Sequence, residues 1–215
     1  MGEVLAETAR VYGERLWAAF GLGAVVAATL VAAFATGNVV AFVILASLSF
    51  TAAYAAAARL VAGDPFVEAW AQVALRLPVL LALTVVVSVP FILGRIDLVL
   101  LIFGVAWLAF AGFAIPVTML EGEREERWFG RLGYALSRSL DLAKTEYLHA
   151  FGVAAALVLV YVLLGAVLGS ALTGFGDNSE FAANVLVQIV LAPFFFLGLA
   201  VLFFEQRART TAQTR

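Results

Sequence analysis

Cysteine is absent from this 215-residue chain, and histidine occurs once, at His149. Without thiols there is neither a disulfide framework nor a thiolate metal site. One imidazole also leaves no His-based metal cluster, so no metal or other cofactor is expected. Charge is scarce as well: Asp, Glu, Lys and Arg make up 13% of the residues. That is about half the share found in soluble domains, which excludes an ordinary globular protein. The net charge of −2 and a pI of about 5.4 give no cationic footprint for nucleic acid. Lysine occurs only at Lys144 against twelve arginines, a bias that fits codon composition better than function.

What fills the chain is apolar residues, 64% of the total, with a mean hydropathy of +1.05. Crossing a bilayer takes about 20 such residues in a row. Six segments qualify: 16–36, 38–62, 77–94, 98–120, 148–172 and 183–204. The expected fold is therefore all-α, a polytopic integral membrane protein with six transmembrane helices. Residues 1–209 are expected to form a single helical membrane domain, and 210–215 a flexible C-terminal tail. The first apolar run is too long for a signal peptide and is expected to remain as a span. The third segment is the shortest, with Pro78 and Pro90 near its ends, where proline starts or kinks a helix.

The cations are one-sided. In the six-span layout every Lys and Arg except Arg95 falls on one face of the membrane. The bias of Lys and Arg toward cytoplasmic loops then places both termini in the cytoplasm, in a multi-pass protein of the cell membrane.

Before each hairpin lies a stretch that looks helical and amphipathic. Asp64-Pro65 is a helix start, with Asp as N-cap and Pro at the first helical position. Phe66, Trp70, Val73 and Leu77 follow at helical spacing. Between 121 and 147, Trp128, Leu132, Leu136, Leu140, Ala143 and Tyr147 form one face, and Arg124, Arg127, Arg131 and Arg138 another. Such a helix lies in the interface with its cations toward phosphates; it equally fits packing on the inner mouths of the spans. The order of amphipathic stretch and hairpin recurs over 3–62, 64–120 and 122–204. Glu7 and Arg15 have the same spacing as Glu68 and Arg76.

Two motifs carry a family resemblance: Pro116-Val117-Thr118-Met119-Leu120-Glu121-Gly122, and Ala135-Leu136-Ser137-Arg138-Ser139-Leu140-Asp141-Leu142. With the Gly63-Asp64-Pro65 turn and the Phe203-Phe204-Glu205-Gln206-Arg207-Ala208-Arg209 tail, the chain resembles the membrane domain attached to some glycerophosphoryl diester phosphodiesterases, and related stand-alone proteins. The resemblance implies a helical membrane domain of largely unassigned role. These 215 residues include no soluble phosphodiesterase domain, so the enzymatic name is not expected to transfer.

Three groups of residues are candidates. Ser137, Arg138 and Ser139, with Arg124, Arg127 and Arg131, are suited to a lipid phosphate or a partner, since Arg offers a planar donor fork and Ser a further donor. Glu121 and Glu205 end two spans; they either mark where those spans stop or pair with Arg138, Arg207 and Arg209 in an inner polar cluster. Asn184 and Gln188 suit interhelical hydrogen bonds, and Ala19, Gly23, Ala27, Gly165 and Gly169 close helix packing. Arg59 is expected to snorkel to the phosphates. His149 looks like a boundary residue.

No catalytic constellation emerges, because the acids alternate with arginines as solvated faces do. The expectation is a non-catalytic module that contacts membrane lipids, anionic head groups among them, or docks a membrane or cytoplasmic protein partner. The alternative is a transporter or permease-like protein for a lipid-like or small apolar substrate, with Asp97, Asp177 and Glu180 at its outer entrance. Transporters usually carry ionisable groups near the midplane; these spans carry none.

Overall fold

Asn38 begins the second long helix by direct means: its side-chain oxygen accepts the Val40 and Ala41 N–H groups at 2.8 and 3.2 Å. That caps two of the donors that every helix start leaves unpaired. The computed structural model describes residues 2–94, 98–121, 128–172 and 179–213, and all its regular elements are helical. They are α1 (Gly2–Glu14), α2 (Leu16–Ala35), α3 (Val39–Ala62), α4 (Phe66–Leu75), α5 (Leu77–Leu83), a π-helical turn (Thr84–Ser88), α6 (Val89–Gly94), α7 (Leu98–Ala111), α8 (Ala114–Leu120), α9 (Trp128–Thr145), α10 (Tyr147–Leu172) and α11 (Ser179–Gln213).

Five helical segments are individually long and apolar enough to cross a membrane: α2, α3, α7–α8, α10 and α11. A sixth is reached only if α4 and the α5–α6 leg, which meet at a bend of 78°, are counted together as one span. The α6 end of that leg packs on α7 and its α5 end on α8 and α9, so it runs antiparallel to the α7–α8 leg for the length of that hairpin. The chain is thus an all-α polytopic membrane protein. The last helix continues beyond the expected tail boundary to Gln213. There the Thr210 and Thr211 hydroxyls donate back to the Gln206 and Arg207 carbonyls, and Thr210 also meets Thr145 of α9 at 3.0 Å.

The prolines explain the irregularities. Pro78 sits in the first turn of α5, where its missing N–H costs nothing. Pro90 follows the π-turn and cannot donate to the Val86 carbonyl four residues earlier. The Trp107 indole N–H of α7 donates to that carbonyl at 2.8 Å. Pro193, inside α11, likewise cannot donate to the Ile189 carbonyl, and the next carbonyl, Val190, accepts the Tyr12 hydroxyl at 3.1 Å.

α11 is the hub, packing against α1, α2, α3, α9 and α10. In its most apolar window 67% of residues are buried, against 22% for α10, which is peripheral. Because lipid tails are as apolar as leucine, close packing rather than water exclusion holds such helices together. Small residues accordingly face the seams. Ala19, Gly23 and Ala27 of α2 are buried, and Ala55 to Ala58 of α3 are fully so. Between them Phe50 meets Phe91, Phe195 and Phe196 at ring distances of 5.1, 6.1 and 5.2 Å.

The three-unit order is visible in space: α1, α4 and α9 each precede a hairpin of long legs. Arg15 and Arg76 occupy the same place in successive units, the break between the amphipathic helix and the first leg. Their backbones are alike, at φ −120°, ψ 36° and φ −101°, ψ 11°.

The end of α3 closes on Gly63, at φ 113°. The Gly63 N–H bonds to the Leu60 carbonyl and the Asp64 N–H to that of Arg59, each at 3.1 Å. This is a Schellman motif, and its left-handed residue disfavours any side chain. Gly63→Ala is expected to cost about 1–2 kcal/mol, measurable as a lower unfolding midpoint of the detergent-solubilised chain.

Candidate functional site

The Schellman turn swings the Asp64 carboxylate back over the last turn of α3. There it pairs with Arg59, Nε to Oδ2 at 2.5 Å, while the Arg59 Nη1 donates to the Met119 carbonyl of α8 at 3.3 Å. Arg59 is therefore held among helix ends and does not snorkel. Asp64 is likewise not the N-cap of α4: Pro65 holds that position, and no side chain caps it. The Asp64 carbonyl accepts from Arg15 Nη1 at 2.8 Å, so the first two units are tied at this turn.

The expected inner cluster assembles around two carboxylates. Glu121, at the end of α8, has Oε2 3.3 Å from Arg138 Nε and Oε1 3.1 Å from Arg207 Nε. Glu205, near the end of α11, pairs with Arg209 at 2.7 Å and lies 3.1 Å from His149 Nε2. Arg209 also pairs with Glu146, at the break between α9 and α10. Both acids thus tie helices together, Glu121 from the end of α8 and Glu205 from within α11, which runs on to Gln213. His149 is a member of this network, which sequence reasoning did not foresee. His149 and Glu205 are far apart in the chain and no local pattern joins them.

The α9 helix rests on α5, α7, α8 and α11. Its buried face is Ala135, Ser139, Leu142 and Ala143; of the expected Trp128, Leu132, Leu136, Leu140, Ala143, Tyr147 face only Ala143 is buried, while Leu132, Leu136 and Tyr147 are partly buried against the core. Ser139 is fully buried and its hydroxyl donates to the Phe110 carbonyl at 2.9 Å. It is a packing residue with no oxygen left toward a head group. Ser137 is exposed, Arg138 is engaged by Glu121, and Arg131 is half-buried. Arg124 and Arg127 lie outside the described residues, as do Arg95, Asp97 and Asp177, and so does the side chain of Glu180.

Polar groups within the legs are used between helices. Thr51 of α3 lies 2.5 Å from the Ser88 hydroxyl and accepts from the Thr84 hydroxyl at 3.0 Å, both on the π-turn. Gln188 donates to the Tyr161 hydroxyl at 2.7 Å; Asn184 is exposed. Gly165 faces Val187, whereas Gly169 stands in open space. Among the described residues no three His, Cys, Asp or Glu side chains converge as metal ligands would.

Around this charged end stand large apolar side chains that are wholly or partly exposed. Trp17 is 85% exposed, Leu148 80% and Val67 79%, and Leu75, Trp128 and Phe129 are also exposed. Trp128 and Phe129 stack at 3.5 Å. Comparison with protein-family models, curated proteins and solved structures finds no match for this chain.

Proposed function

We propose that this chain is a non-catalytic module of the cell membrane that engages lipid at its charged end, with both termini cytoplasmic. The observation that carries this proposal is the ring of exposed apolar residues, Trp17, Val67, Leu75, Trp128, Phe129 and Leu148, drawn from all three units. In water each would forgo roughly 1.5–3 kcal/mol of burial. At the boundary of a bilayer they insert beside the acyl chains, as interfacial aromatic belts do. The charges within the ring are largely consumed by one another, which suits a latch that holds amphipathic helices flat against the membrane. The one-sided distribution of Lys and Arg supports the cytoplasmic assignment.

Contact with anionic head groups is assigned to Arg124, Arg127, Arg131 and Ser137. A transporter for a lipid-like substrate would need polar groups free along a path. Thr51, Thr84, Ser88 and Gln188 are instead bonded across helix seams. The test compares anionic and zwitterionic lipids competing for the first lipid layer around the reconstituted full chain. Replacing Arg124, Arg127 and Arg131 by Gln is expected to reduce the anionic preference by about 1 kcal/mol per residue. An unchanged preference overturns head-group recognition.

A further inference from the structure

On the flank opened by the α5–α6 and α7–α8 hairpin lies a furrow of about 570 Å³, apolar and open along one side. Its upper part is made by Pro90, Leu93 and Leu100, beside the connection between the two legs, and its lower part by Trp107, Phe110 and Tyr147. From Leu100 to Phe110 the helix rises about 15 Å, so the furrow follows the membrane normal for half of a bilayer core of about 30 Å.

Its two largest polar-tipped walls are fixed in place. The Trp107 indole is anchored to the Val86 carbonyl, the one that Pro90 cannot serve. The Tyr147 hydroxyl donates to the Ala106 carbonyl at 3.2 Å, and its ring meets Phe110 and Phe151 at 6.5 and 6.2 Å. A groove walled by held rings is preformed, and binding there loses little freedom of the protein.

The lower end opens toward charge. Lys144, at the end of α9, stands three residues before Tyr147 across the α9–α10 break, so the chain keeps it within about 11 Å of the furrow's lower wall. It is exposed, and among the described residues no ion pair engages it. Of the nearby acids, Glu146 is held by Arg209, and Asp141 lies one turn back on α9.

We infer that this furrow binds one anionic phospholipid of the surrounding bilayer, an acyl chain lying between Leu100 and Tyr147 and the net-negative head group meeting Lys144. The inference rests on the proposed lipid-engaging role and gives it a defined site. Apolar length, fixed aromatic walls and a free cation at the polar end match one amphiphile with one anionic head, and the leaflet beside the charged end supplies it.

The test uses the full chain in vesicles of phosphatidylcholine and phosphatidylserine, each doped with a phospholipid carrying a photoactivatable group on its acyl chain. Cross-links are mapped by mass spectrometry. Labelling is expected to concentrate on Phe103 and Trp107, well above Leu159, Leu163 and Val167, which are equally bare on α10. Leu100→Trp, which fills the furrow, should abolish that excess. Lys144→Gln should lower labelling by the phosphatidylserine probe about five-fold relative to phosphatidylcholine, the factor that corresponds to one surface lysine. Equal labelling of furrow and α10 in the unaltered chain means annular lipid only and overturns the site, whether or not the variants fold. Labelling confined to Trp128 and Phe129 also overturns it, yet leaves the interfacial role standing. A normal furrow signal with no anionic preference in the parent removes the contact between Lys144 and an anionic head group.

Discussion

Replacing Gly23 with leucine is expected to cost about 3 kcal/mol or more, the upper range for overpacking a fixed seam. A Cβ at this position would stand 2.3 Å from the Ile189 carbonyl oxygen and 2.7 Å from that of Gln188. Both atoms are backbone, so no rotamer change relieves the overlap, and α2 and α11 must part. Ile189 is also the carbonyl that Pro193 leaves without its in-helix donor, and the bare glycine is what allows it to lie against α2. Against a total stability of about 5–15 kcal/mol this is a large fraction. Tryptophan-fluorescence melting of the solubilised chain should show an early, broadened transition. Gly23→Ala should move in the same direction. Gly169→Ala is the control: nothing lies within 4 Å of its added Cβ, and its melting should match the parent. A Gly23→Leu chain that melts like the parent would refute the close α2–α11 contact.

The second large effect is expected at Glu121. Its side chain is 12% exposed and faces two guanidinium groups, those of Arg138 and Arg207. Glu121→Gln keeps the shape but leaves both cations without their counter-charge at the junction of α8, α9 and α11. Breaking a fully buried pair costs about 3–5 kcal/mol. Arg207 is 44% exposed and partly screened, which brings the expected loss to about 2 kcal/mol. Adding Arg207→Gln to Glu121→Gln should recover part of it, because one stranded charge is then gone. The readout is a double-mutant cycle on the unfolding midpoint; strictly additive losses would show that the pair does not interact.

The long legs were legible because hydropathy over 18 or more residues leaves little choice of structure. The unit order was legible too, and Arg15 and Arg76, matched only by spacing in the sequence, prove to mark equivalent breaks. The protein-facing side of α9 was legible only in part. Hydropathy ranks leucine and tryptophan above alanine and serine, so it selected the Trp128–Tyr147 stripe. Close approach to the spans favours small residues, so Ala135 and Ser139, which the stripe omitted, share the buried face with Leu142 and with Ala143, which the stripe did contain. Arg59 was misjudged for a related reason. Snorkelling assumes that the nearest acceptor is a lipid phosphate, whereas a Schellman turn five residues on delivers Asp64. Such a turn is foreshadowed by Gly63, but its effect on a side chain behind it depends on three-dimensional path. The Glu205–His149 contact had no sequence signature at all.

The hub position of α11 bears on biogenesis. The segment that packs on both α2 and α3 is the last of the described helices to be synthesised, so until it is made the Gly23–Ala27 face of α2 lacks its mature partner. Quality-control proteases that survey half-built membrane proteins therefore meet this chain at its most vulnerable when α11 is delayed or defective.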